Sequence, residues 1–113
     1  MIYTAIGFFS LAAILGMFLL SFILREKETP KGVAVAHGLL AATGLVLLVV
    51  YTTQHTPRPL ESLILFVIAA TGGFIVFARD IMNKTLPKWL AVVHGLAAVS
   101  GFILLLVFAF GKP

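Results

Sequence analysis

Two histidines, His37 and His94, are the residues of this sequence best suited to chemistry. Each lies inside a long apolar segment, six residues after the lysine of a Pro-Lys pair. An imidazole within a membrane-spanning helix is costly and is by default a candidate functional group. At a rise of about 1.5 Å per residue, both imidazoles are predicted to lie roughly 9 Å inside their segments, at equal depth. Such a pair could ligate a haem iron, bind another metal or carry a proton.

Small residues accompany these histidines. The positions four and seven residues later share a helix stripe with each imidazole, and they are Ala41, Gly44, Ala98 and Gly101. Gly16 and Gly73, on the two other apolar segments, return to about the same depth. The pattern predicts space for a flat, wide ligand between two imidazoles. Haem b, one per chain, meets this description, because its iron takes two axial imidazoles and its porphyrin needs close backbone approach. Lys31 and Lys88 are then predicted to neutralise its propionates.

Four apolar segments must position these residues. Of the 113 residues, 61% are hydrophobic and 11% are charged, whereas a soluble domain carries roughly 25% charged residues. With so few charges the chain could not cover a water-facing surface, so the predicted solvent is lipid. Residues 2–24, 32–51, 60–78 and 89–110 are each long enough to cross a bilayer as a helix. The predicted fold class is an all-α, integral membrane four-helix bundle, forming a single transmembrane domain over residues 1–113.

The basic residues indicate how the chain is oriented. Six of the eight lie in or beside the first and third loops, at positions 25, 27, 31, 79, 84 and 88, while Arg58 and Lys112 belong to the opposite side. The positive-inside rule therefore predicts cytoplasmic loops one and three, with both termini outside a plasma or inner membrane. This topology accounts for the formal net charge of +4, so we do not expect nucleic acid to be a partner.

The two halves of the sequence repeat each other. Residues 30–50 and 87–107 are identical at 12 of 21 positions at an offset of 57, and the identities include both Pro-Lys and both His-Gly pairs. We interpret the chain as a tandem duplication of a two-helix hairpin, with repeat one at 1–56 and repeat two at 57–113. Because each repeat has an even number of spans, a pseudo-twofold axis along the membrane normal is predicted to relate the two.

The histidine and glycine positions resemble those of the four-helix membrane cytochromes of the b type. In that group, histidines on the second and fourth helices hold haem, and glycines on the first and third make room for it. The resemblance implies that His37 and His94 are axial ligands, that Gly16 and Gly73 are the close-approach glycines, and that the function is electron transfer. Two-haem members carry a further histidine about four turns along each ligand helix. This chain has none there, so it is expected to hold one haem.

Other interpretations stay open at this point. The histidines could be polar helix contacts in a cofactor-free accessory subunit of a membrane complex, and the glycines could be ordinary small-residue packing motifs. A small transporter is a further alternative, although the first segment lacks the acidic residue on which small multidrug exporters depend. Expected partners are the lipid bilayer, a quinone or redox protein, and further copies or subunits. No motif for hydrolase or transferase chemistry is present, and His55 is interpreted as a solvated loop residue.

Overall fold

The computed structural model describes residues 1–111, which form four α-helices and no strand. They are α1 (Ile2–Leu24), α2 (Lys31–Gln54), α3 (Leu60–Ile81) and α4 (Lys88–Phe110). The predicted all-α four-helix fold is thereby confirmed. A proline precedes the first residue of α2, α3 and α4. Its fixed φ is compatible with the start of a helix, and it disfavours the helical conformation in the residue before it.

Each helix packs against two others in a square bundle. Helix α1 contacts α2 and α4, and α3 contacts the same two helices, so that α2 and α4 face each other across the diagonal. Loops 25–30 and 82–87 lie together at one end, which we call the loop end. The opposite end, which we call the terminal end, holds the start of α1, the 55–59 connection and the end of α4.

The dimensions and surface match a bilayer. The bundle is 45 Å long and about 20 Å wide, and a bilayer with its headgroup regions is about 40–45 Å thick. All four helices are long and apolar enough to cross a membrane. Large apolar side chains point outward on every helix, including Leu11, Ile64, Phe74 and Leu96. An apolar exterior of this kind is stable in contact with lipid, and the chain is therefore an integral membrane protein.

The most tightly packed part of the interior is confined to the terminal half. Its buried apolar cluster contains Ile2, Ala5, Phe9, Leu48, Phe66 and Leu105. At its centre the Phe9 and Phe66 rings stack with centroids 3.9 Å apart and planes 3° from parallel. Nearby, the buried Ser62 hydroxyl donates a hydrogen bond of 2.8 Å to the Gly101 carbonyl. The cluster therefore lies on the terminal-end side of the histidines.

Candidate functional site

Each histidine is anchored to the backbone of the preceding helix in the chain. The His37 Nδ1 lies 2.8 Å from the Ala12 carbonyl oxygen of α1. The His94 Nδ1 lies 2.6 Å from the Ala69 carbonyl oxygen of α3. A carbonyl oxygen can only accept, so Nδ1 must carry the hydrogen and donate it in both cases. In the neutral imidazole this leaves Nε2 with a free lone pair, the state required of a metal ligand.

Glycine makes this approach sterically feasible. Gly16 lies one turn beyond Ala12 on the same face of α1, and Gly73 lies one turn beyond Ala69 on α3. A Cβ atom added at Gly16 would be 3.0 Å from the His37 Cε1, and one added at Gly73 would be 2.7 Å from the His94 Cε1. Both separations are shorter than ordinary carbon contacts of about 3.5–4.0 Å. The two glycines therefore give the imidazoles room to reach the carbonyls.

The two imidazoles meet in the middle of the bundle. Their ring centroids are 6.2 Å apart and their planes are 87° from parallel. Neither Nε2 forms a hydrogen bond within residues 1–111. No buried side-chain nitrogen or oxygen of the described residues lacks a hydrogen-bond partner, so both Nε2 atoms must be at least slightly accessible. The two imidazoles, which come from diagonal helices, therefore lie close together, and each keeps one ring nitrogen without a hydrogen bond to the described residues.

The spacing of the two rings can be compared with that of imidazoles sharing one metal ion. Imidazoles that bind one metal from opposite sides at about 2.0–2.1 Å have centroids roughly 6.4 Å apart, close to the observed 6.2 Å. A zinc site would need three or four protein ligands. Among residues 1–111, no three His, Cys, Asp or Glu side chains are grouped to hold a metal. Two histidines alone therefore fall short of a zinc site.

The further predicted cofactor residues occupy different surroundings. Gly44 and Gly101 are buried within the terminal half, where added Cβ atoms would lie 3.1 Å from the Phe9 ring and 3.2 Å from the Leu65 Cβ. Their observed role is close helix packing. Ala41 and Ala98 are half-buried and lie one helical turn from the histidines, towards the terminal end. For these four residues, as for Gly16 and Gly73, contact with a porphyrin stays a prediction.

The two predicted propionate lysines form ion pairs at the loop end. The Lys31 Nζ lies 2.7 Å from Asp80, whose other carboxylate oxygen accepts a hydrogen bond from the Thr29 hydroxyl. The Lys88 Nζ lies 2.7 Å from Glu26. Each pair joins the first hairpin to the second. The lysines therefore tie the two hairpins together, and an interaction with propionates would have to compete with these carboxylates.

The sequence did not predict the carbonyl groups that accept the histidine hydrogen bonds, or the stacked Phe9 and Phe66 rings next to the site. Ala12 and Ala69 act through backbone carbonyls, which leave no side-chain signature. The Phe9 and Phe66 pair did leave a signal, because these residues also lie 57 positions apart, at the offset that relates the two histidines. His55 is exposed at the end of α2 and stacks on Tyr51, so it lies outside the histidine site.

Comparisons of the whole chain with protein-family models, curated proteins and solved structures found no match.

Proposed function

We propose that the chain is a small membrane cytochrome of the b type that holds one haem between His37 and His94. The observation that carries this proposal is the pair of Nδ1 hydrogen bonds to the Ala12 and Ala69 carbonyls. They fix the tautomer in which each Nε2 keeps a lone pair, and the centroids of the two rings are 6.2 Å apart. A bound haem would supply a one-electron redox centre within the bilayer.

The residues of the chain would control this centre in three ways. The carbonyl bonds would orient the imidazoles and increase their basicity as ligands, as second-shell acceptors do in other metal sites. Gly16 and Gly73 would allow the imidazoles to keep that position. The stacked Phe9 and Phe66 rings would limit water access from the terminal end. Coordination would also satisfy two lone pairs that are costly to leave unpaired in an apolar interior.

The repeat supports a symmetric placement of the two ligands. At the offset of 57, the histidines, their carbonyl acceptors, the contacting glycines and the stacked phenylalanines all correspond. We propose that duplication of one hairpin produced two equivalent half-sites, related by a pseudo-twofold axis along the membrane normal. The basic loop end would face the cytoplasm and both termini would lie outside, in keeping with the distribution of Lys and Arg.

The electron partner is proposed to be a membrane quinone or a redox protein. The site lies towards the loop end, since both histidines are within two turns of Lys31 and Lys88. Because both histidines of the proposed site lie at the same depth near the loop end, a single chain would place its redox centre near one face of the membrane. Electron transfer across the full bilayer would require a second redox centre in a partner subunit or another copy.

An absorption spectrum tests the proposal. Protein expressed with an adequate haem supply and purified in mild detergent should show a Soret band, with reduced α and β bands after dithionite. His37→Ala and His94→Ala should each abolish or strongly diminish the bound haem. The matched control is His55→Ala, which removes the one other histidine and should leave the spectrum and the haem content unchanged.

Two results would contradict the cytochrome proposal. One is colourless wild-type protein that stays colourless after reconstitution with haemin. The other is a Soret band that survives removal of both His37 and His94. Circular dichroism of each variant should be recorded alongside, so that loss of colour is not confused with loss of the helical bundle.

A cofactor-free accessory subunit is the second candidate, and one observation favours it. The contact between each imidazole, its carbonyl acceptor and its glycine is complete without any ligand. Under this reading, the histidines hold each hairpin together, at roughly 0.6 kcal/mol per bond. Replacing them would then lower the stability of the bundle, and of any complex containing it, in a protein that is colourless from the start.

A further inference from the structure

A cavity of about 640 Å³ opens at the loop end between the two hairpins. Its lining includes four lysines, three acidic residues, two threonines and one asparagine. Ile23 and the exposed Trp89 form an apolar part of the same wall. The cavity is separate from the histidine site, because neither His37 nor His94 contributes to its lining.

Two of the lining lysines are placed by matching turns. Two residues beyond the last residue of α1 and of α3, the chain adopts a positive φ, at Glu26 (56°) and at Asn83 (58°). The next backbone N–H, that of Lys27 or Lys84, donates back to the carbonyl of Phe22 or Arg79 at 2.9 Å. This is the Schellman pattern of helix termination. It brings Lys27 and Lys84 to the cavity from opposite hairpins, 57 residues apart in the sequence.

The charges that remain after ion pairing favour an anion. Of the lining lysines, Lys31 is paired with Asp80 and Lys88 with Glu26. Lys27 and Lys84 have no ion pair within residues 1–111. The remaining acidic residue of the lining is Glu28, which is exposed and also lacks an ion pair there. Two lysines therefore face one carboxylate, and an added phosphate would bring two positive and two negative charges together.

We propose that this cavity binds the phosphate of an anionic membrane lipid. In a bilayer, the loop end lies at the headgroup level, where basic pockets between helices bind anionic headgroups. Lys27 and Lys84 would contact the phosphate from the two hairpins. Ile23 and the Trp89 ring would contact the first part of the acyl chains, because tryptophan is favoured at the interface between headgroups and hydrocarbon. This apolar wall is the reason for assigning a lipid instead of free phosphate.

The test compares phosphatidylglycerol, phosphatidylcholine and inorganic phosphate. Binding of each to the full chain in detergent should be measured by native mass spectrometry and by the shift in the thermal unfolding midpoint. We expect phosphatidylglycerol to bind and to raise the midpoint, with phosphatidylcholine and millimolar phosphate having little effect. The double variant Lys27→Gln/Lys84→Gln should bind phosphatidylglycerol about thirtyfold more weakly, at the usual contribution of a lysine near an anionic surface.

A matched variant separates a local site from overall charge. Arg25→Gln/Arg58→Gln removes the same number of positive charges, and neither arginine lines the cavity. It should retain the affinity for phosphatidylglycerol, as should Lys27→Arg/Lys84→Arg, which keeps both charges in place. An equal loss of affinity in the arginine variant would overturn the proposal, as would equal binding of the two lipids. Competition by inorganic phosphate at matched concentration would overturn the assignment to a lipid.

Discussion

Replacing Gly73 by alanine tests whether glycine is needed for the histidine to reach its carbonyl. The new Cβ would lie 2.7 Å from the His94 Cε1, about 1 Å inside ordinary contact distance. The ring cannot move away freely, because its Nδ1 is hydrogen-bonded to the Ala69 carbonyl at 2.6 Å. Overpacking of this kind costs about 1–3 kcal/mol. Alanine is better than glycine within a helix by about 0.5–1 kcal/mol, so the net destabilisation should be about 1 kcal/mol, within a range of roughly 0–2.5 kcal/mol.

The same reasoning predicts a graded series with internal controls. At Gly16 the added Cβ would be 3.0 Å from the His37 Cε1, so Gly16→Ala should cost less than Gly73→Ala. Gly38 and Gly95 each follow a histidine and have no atom within 4 Å of an added Cβ. Their alanine variants should be more stable than the wild type by about 0.5–1 kcal/mol, since alanine there gains helix propensity without a clash.

Equilibrium unfolding in mixed micelles with a rising fraction of sodium dodecyl sulfate would measure these differences. Trp89 is the single tryptophan, so its fluorescence reports on one position, and circular dichroism reports on the helices. If Gly73→Ala were as stable as Gly38→Ala, the close contact with His94 would not constrain the protein and the reasoning would be refuted. In haem-loaded protein, Gly73→Ala should also shift or weaken the Soret band, whereas Gly38→Ala should leave it unchanged.

Two further predictions concern the aromatic stack and the loop end. Phe66→Ala should destabilise the bundle by about 2 kcal/mol through lost packing against Phe9. This cost is smaller than in a water-soluble core, because lipid is as apolar as the interior and the hydrophobic contribution is absent. The control is Phe74→Ala, which removes a lipid-facing side chain that is 72% exposed and should change stability little in the same unfolding assay. A hydrogen bond from Lys88 and its positive charge lower the pKa of the Glu26 carboxyl. The pairing therefore stabilises the fold at any pH above the ordinary carboxyl pKa. This contribution is lost as the pH falls through the lowered pKa. Unfolding measured across the acidic range should show this dependence in the wild type but not in Glu26→Gln, and identical profiles would show that the pair does not affect stability.

The helices could be predicted from sequence because lipid simplifies the problem. A charge-free segment of about 20 residues in lipid must satisfy its backbone internally, which leaves helix as its conformation. The bounds were less certain, as the segments were delimited by apolarity. Helix α2 begins at Lys31 and runs to Gln54, and α3 continues to Ile81. Backbone hydrogen bonding continues through the polar residues at these ends, where the apolar pattern has already stopped.

The relative positions of the helices were harder to predict than the helices themselves. Equal depth for His37 and His94 followed from counting residues, but depth does not determine which way a side chain points around its helix. The structure turns both imidazoles towards the bundle centre, held by acceptors that any residue type could have provided. The lysines show the converse limit. Their charge is evident from the sequence, but the pairing of Lys31 with Asp80, 49 residues further along, depends on how the two hairpins meet.

Hydrogen-bonding capacity is the physical reason for preferring a ligand role over a packing role for the histidines. A packing histidine is most stable in lipid when both ring nitrogens have partners, because each unsatisfied polar group there costs several kcal/mol. Here only the Nδ1 atoms are engaged by protein groups within residues 1–111. Both rings leave the same nitrogen unused and converge to 6.2 Å. This pairing of unused nitrogens is the reason for proposing that they are axial ligands, because a haem iron held by its porphyrin needs only two further ligands.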